Sequence, residues 1–154
     1  MKITICGSMV FYKEMQDCEA TLKGMGHEVL IPLLDKELPA ELGGGRTLRF
    51  GDYIEQNGGV ENFPPDHAIW GFKESAINDH YKKVEWSDAI LVVNHEKRNI
   101  PGYVGGNTLM EMALAFYLKK PIYLLNPVSS ELSHTQEIFG MKPILLSGDL
   151  NRIQ

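Results

Sequence analysis

Lys2-Ile3-Thr4-Ile5-Cys6-Gly7-Ser8 begins the stretch that decides the fold, and Glu28-Val29-Leu30-Ile31-Pro32 ends it. The first run is rich in β-branched residues and stops at Gly7-Ser8, which predicts a strand followed by a tight turn. From Tyr12 to Met25 the apolar residues Met15, Cys18, Leu22 and Met25 recur at intervals of three and four, the signature of one helical face. Gly24 and Gly26 close that helix, and the second apolar run, stopped by Pro32, predicts another strand. Strand, helix and strand in this order require a parallel pair joined by a right-handed crossover.

The same rhythm returns further along the chain. From Phe72, the stripe Ile77, Tyr81 and Val84 predicts a helix ended by Ser87-Asp88. Ala89-Ile90-Leu91-Val92-Val93 is nearly continuous in apolar residues, as strands buried on both faces are. A loop from His95 to Gly106 leads into a helix predicted over Thr108–Leu118, apolar nearly all round and therefore well covered. Pro121 to Leu125 reads as the fourth strand, Glu131 to Phe139 as a short helix, and Ile144-Leu145-Leu146 as the fifth strand. Five strands alternating with helices predict one domain over residues 1–154, a doubly wound α/β sandwich whose five-stranded parallel sheet carries helices on both faces.

Residues 33–70 break the pattern with Gly43-Gly44-Gly45, Gly58-Gly59 and Pro64-Pro65 and show no sustained period. This Gly/Pro-rich insertion is expected to be either a lid or an inert surface excursion. Arg46, Arg49, Asp52 and Tyr53 are the residues a lid would close with. Trp70 and Tyr103 flank candidate loops and can either stack on a base or pack beneath the loops.

Composition narrows the function. The 154 residues are 44% hydrophobic and 23% charged with a formal net charge of -5, and no segment gathers the basic footprint that phosphate backbones demand. A nucleic-acid partner is therefore not expected. Nor is a membrane partner, because no apolar run approaches the length of a bilayer span. The start of the chain reads as a strand and not as a secretory signal, so a cytoplasmic location with Cys6 and Cys18 as reduced, buried thiols is the expectation. His27, His67, His95 and His134 lack ligand spacing, so no metal is expected, and no cofactor either.

In a doubly wound sheet, ligands bind beyond the carboxyl ends of the strands, where strand order reverses. The loops that face this crevice are Gly7–Tyr12, Asn94–Thr108 and Asn126–Thr135. Within the second, Gly105-Gly106-Asn107-Thr108-Leu109-Met110-Glu111 is the sharpest local signal. Paired glycines let a ligand approach the backbone, and a helix start offers unpaired N–H groups. Glu111, placed in the first helical turn, would be favoured in its ionised form by the macrodipole. An ionised carboxylate beside a sugar can attack the anomeric carbon and form a glycosyl intermediate. Thr108-x-x-Glu111 reads equally well as a capping box, with Glu111 reaching back to its own helix, and both readings stand at this level. Asn94, Asn107 and Asn126 likewise fit turn and cap roles as well as ligand contacts.

The wider pattern adds to this. Gly-Gly-Asn-Thr-x-x-Glu-x-x-x-Ala from Gly105, followed by Lys119-Lys120-Pro121-Ile122, resembles the nucleoside 2-deoxyribosyltransferase superfamily. So do the opening Ile3–Ser8 and the stretch Ser87–Val93. The resemblance covers residues 1–31 and about 72–146. It implies a flavodoxin-like fold, action on the N-glycosidic bond of a nucleoside or nucleoside monophosphate, and assembly as a homodimer or higher homo-oligomer. Residue by residue, it places the nucleophile on Glu111 and contacts with the sugar or its 5′-phosphate on Gly7, Ser8 and Tyr12; Asn94, Gly105, Gly106, Asn107 and Thr108, in the loop that faces the crevice and at the helix start, are the further candidates for substrate contact. A carboxylate late in the helix before the third strand is replaced here by His80, with Asp79 adjacent; either can exchange a proton with the base.

Two departures stand out. Gly105 occupies the place where deoxyribosyltransferases commonly carry an aspartate, and no arginine follows Gly7-Ser8, with Arg46, Arg49 or Arg98 as possible substitutes. Two rival readings follow: a phosphoribohydrolase of the lysine-decarboxylase-like family, and a nucleotide-sensing module that has kept the fold without the chemistry.

Overall fold

A computed structural model describes residues 1–154. The chain divides into two compact units, one formed by residues 1–32 and 81–154 and the other by residues 33–80.

The first unit holds the parallel sheet. Strand β1 (Lys2–Gly7) leads through a short 3-10 turn into helix α1 (Tyr12–Gly24) and then strand β2 (Glu28–Leu30). The second unit supplies β3 (Lys36–Glu37), β4 (Thr47–Leu48) and α2 (Phe50–Gln56). Helix α3 (Ile69–Trp86) begins in that unit and ends in the first, where β5 (Ala89–Val93), α4 (Gly106–Tyr117), β6 (Ile122–Leu124), α5 (Thr135–Gly140) and β7 (Ile144–Leu145) follow.

The sheet order is β2-β1-β5-β6-β7, every neighbouring pair parallel. Counting only its five strands, this is the order 2-1-3-4-5 of a flavodoxin-like sheet, with the switch point between β1 and β5. Register pairs Cys6 with Val92 and Gly7 with Val93. The period of two sorts the side chains to opposite faces. Ile3, Ile5, Leu91, Val93 and Tyr123 pack with Met15, Cys18 and Leu22 of α1. Cys6, Ile90, Val92, Ile122 and Leu124 pack with Val84 of α3, Met112 and Ala115 of α4 and Ile138 of α5. The sheet is thus covered by helices on both faces, as the sequence predicts.

Gly7 is required by this packing. A Cβ there would meet the Val93 carbonyl oxygen at 2.7 Å and the Met15 Cε at 2.9 Å. At the far edge, β7 is only two residues long. It lies between Pro143 and Ser147, and Lys142 and Ser147 both have positive φ angles of 52° and 54°.

Three ties set the C-terminal end of α3 against the strands. The Thr4 hydroxyl donates to the Lys83 carbonyl at 2.7 Å, and the Lys83 ammonium donates to the Ile31 carbonyl at 2.8 Å. Lys120 donates to the carbonyls of Val84, Glu85 and Ser87, which close α3. A cation suits the negative end of a helix and satisfies carbonyls that have no partner within it.

The second unit has regular structure of its own. Residues 33–70 carry no period, yet they form an antiparallel β3–β4 pair with Lys36 opposite Leu48, and helix α2. They also have their own apolar cluster, in which Ile54, Phe63, Ile69 and Phe72 pack with Phe50, Tyr53 and Trp70. Trp70 lies against Phe50 and Phe63 and donates its indole N–H to the Pro64 carbonyl at 2.8 Å. Arg49 pairs loosely with Asp35 at 3.9 Å. No helix of the chain is long and apolar enough to cross a membrane.

Candidate functional site

The carboxyl ends of β1, β5 and β6 carry the loops that face the switch point, and these loops are tied to one another. Asn94, wholly buried just beyond β5, donates its amide to the Asn126 carbonyl at 2.8 Å and accepts the Asn126 N–H at 2.9 Å. The Asn126 amide in turn donates to the Asn94 carbonyl at 3.2 Å. The sequence offers Asn94 as a ligand contact; the structure occupies its side chain with the β6 loop.

Gly102 reinforces that tie. Its φ is +62°, and a Cβ there would stand 1.8 Å from the Pro127 carbonyl oxygen. His134 adds a third link, its Nε2 donating to the Val104 carbonyl at 2.7 Å.

The loop after β5 also presents a cation. Lys97 and Ile100 exchange backbone hydrogen bonds of 3.1 and 3.0 Å around Arg98 and Asn99. Both turn residues have positive φ, 54° and 61°, the two-residue hairpin turn that matches strand twist. The Lys97 ammonium donates to Ser8 Oγ at 3.0 Å and lies 5.1 Å from the centre of the Tyr103 ring. The sequence offers Arg46, Arg49 and Arg98 for this cation. The signal that identifies Lys97 is its place in a tight turn opposite the Gly7-Ser8 loop, which only tertiary pairing reveals.

Helix α4 starts at Gly106 with Gly105 as its N-cap. Two expectations therefore change. Thr108 is the third residue of the helix, not its cap, and it is buried. Glu111 is the sixth residue and lies in the second turn, so the Thr108-x-x-Glu111 capping box is not formed and the macrodipole argument for its charge weakens. Gly106 and Asn107 are exposed at the helix start, and Tyr12, at the start of α1, is half-buried.

What surrounds Glu111 is more informative. One of its carboxylate oxygens is out of solvent reach. The side chains of Cys6 and Glu111 bring sulfur and carboxylate oxygen within 4.8 Å. Burial pushes the Cys6 thiol well above its ordinary range, and the charge of Glu111 and a hydrogen bond to it add to the effect. Tyr81, half-buried near the end of α3, is shifted upward by burial and then by Glu111. Its phenol therefore stays protonated at neutral pH. The sequence placed Tyr81 in an apolar stripe; the structure places it in the field of the carboxylate.

The proton-exchange candidates lie in the second unit. Asp79 accepts from the Lys36 ammonium at 2.5 Å, and Lys36 also donates to Ser75 at 3.0 Å. His80 is 6% exposed.

No protein-family model matches the chain, and no curated protein matches it. Solved structures do. A 2-deoxyribosyltransferase from the psychrotolerant bacterium Bacillus psychrosaccharolyticus superposes with a TM-score of 0.53 at 14% identity, over 94% of this chain and 98% of that one. The CMP N-glycosidase BcmB of Clostridium botulinum gives a TM-score of 0.47 at 13% identity, over 94% of this chain and 84% of that one. At such identities the likeness is one of architecture. The chain has the fold of a 2-deoxyribosyltransferase.

Proposed function

We propose that this protein cleaves or transfers at the N-glycosidic bond of a nucleoside or nucleoside monophosphate, with Glu111 as nucleophile. The observation that carries the reading is the placement of Glu111. Helix α4 leaves the β5 loop at the switch point and holds this carboxylate against Cys6, close to the carboxyl end of β1, where such sheets receive ligands. The motif resemblance from Gly105 to Ala115 and the shared fold support it.

In the proposed reaction the carboxylate attacks C1′ as the base departs, and water or a second base then releases the sugar from the glycosyl ester with net retention. The departing base needs a proton. We put forward Tyr81, whose phenol is shifted upward by burial and then by the charge of Glu111, as the donor to test first, since the Asp79 carboxylate is paired with Lys36. His80 remains the second candidate. Lys97, seated on Ser8, is where a 5′-phosphate would be met.

The test is chromatography of deoxynucleosides, ribonucleosides and their monophosphates incubated with the protein, with and without a second free base. Parent turnover that Glu111→Ala abolishes supports the reading. Equal rates in the two proteins would remove Glu111 from the mechanism. A Lys97→Met variant that loses only its advantage on monophosphates assigns the phosphate to that cation.

A further inference from the structure

Cys6 is wholly buried on β1, next to the switch point, in the seam where Val92 and Met112 also pack. Met112 is the neighbour of Glu111 on α4, and the Cys6 sulfur lies within 4.8 Å of a Glu111 carboxylate oxygen. Burial, first of all, and the adjacent negative charge keep the thiol protonated. In the pair, then, the S–H group donates and the carboxylate accepts. A donor to the ionised form of a carboxyl group favours that form and limits the orientations it samples.

We propose that Cys6 is a positioning residue for Glu111, its S–H group holding the carboxylate in one orientation and in its charged state at the end of β1. This rests on Glu111 being the nucleophile. Cysteine suits the position because it packs as a small apolar side chain and still carries a donor. Valine or alanine would fill the seam without one, and serine would donate more strongly at a greater cost of burial.

Two measurements test the proposal. The first needs no turnover. In a Cys18→Ser background the infrared S–H stretching band belongs to Cys6 alone. The expected band lies at the lower frequency of a hydrogen-bonded thiol and returns to the free-thiol position in Glu111→Ala. A band unmoved by that substitution overturns the contact.

The second is the pH profile of kcat. Without its donor Glu111 binds a proton more readily, so in Cys6→Ala the acidic limb should move to higher pH, with kcat lost on that limb and kept above it. KM should hold, and Cys6→Ser should restore the limb, with thermal unfolding checking that each variant is folded. A loss of kcat equal at every pH, with the limb in place, means that Cys6 only fills space and refutes the proposal. If the parent turns over no nucleoside, the glycosidic reading fails by itself, and the infrared band still decides the contact.

Discussion

Gly102→Ala is the perturbation whose cost the structure defines best. The glycine sits at φ +62°, and an added Cβ would stand 1.8 Å from the Pro127 oxygen, 2.8 Å from its carbonyl carbon and 3.0 Å from Val128 Cα. These are backbone atoms and cannot swing aside as a side chain would. A left-handed backbone costs an L-residue about 1–2 kcal/mol. Forcing a methyl group into a filled space costs about 1–3 kcal/mol more. The two add to about 2–5 kcal/mol, which in a chain of this size lowers the melting temperature by roughly 4–20 °C.

Gly148→Ala provides the comparison. Its φ is +81°, but nothing lies within 4 Å of the added Cβ, so it should show the backbone cost alone. Urea titration of both variants, with the slope checked for constancy, measures the difference. If Gly102→Ala loses no more stability than Gly148→Ala, the tight approach of the β5 and β6 loops is not what the structure says. If it loses more, the loss should also reach turnover, because Gly102 lies in the loop that carries Lys97.

Three further outcomes follow from the same structure. Tyr81→Phe should lower kcat by about 100-fold or more on substrates with a poorly leaving base and by less on activated nucleosides; equal rates on both would exclude proton donation by that phenol. The Cys18 thiol is pushed from 9.0 to about 11 by burial and then by Asp17 and Glu14, so the fold favours its protonated form. That stability is fully present below pH 9.0 and is lost as the pH rises through about 11, and a chemical denaturation series should show Cys18→Ala falling less steeply over that window. Assembly is expected to use the outer face of α4, where Met110, Phe116 and Tyr117 are exposed, Tyr117 by 80%; light scattering should find a multimer that Tyr117→Glu reduces to single chains, and a monomeric parent would refute this.

Much of this architecture is legible in the residue order, and the exceptions have physical causes. Ala89–Val93 and Tyr12–Gly24 emerge where periodicity places them, because burial on two faces or one writes a period directly into the sequence. Residues 33–70 carry no such period. Their cluster is built from scattered aromatics such as Phe50, Phe63 and Trp70, large enough to meet from irregular positions. Helix α4 starts two residues before the point the sequence suggests, because Gly105-Gly106 has the composition of a turn and Thr108 that of a cap; Thr108 is instead buried within the helix. The motif singled out Glu111, but its neighbours could not be read from it. Cys6, Tyr81 and Glu111 are far apart in the chain, and the exchange between Asn94 and Asn126 spans 32 residues, a distance over which only folding creates a partner.

The brevity of the outer strands bears on how the protein behaves in a crowded solution. A sheet margin recruits foreign chains when it offers a long ladder of vacant donors and acceptors. Here one margin is the two-residue β7, preceded by an imide nitrogen at Pro143 that cannot donate, and the other is the three-residue β2, soon followed by Pro32. Neither gives an intruding segment enough rungs to seed a cross-chain ribbon. The helical surfaces offer no such ladder, because contacts there are side chain to side chain and end when the patch is full.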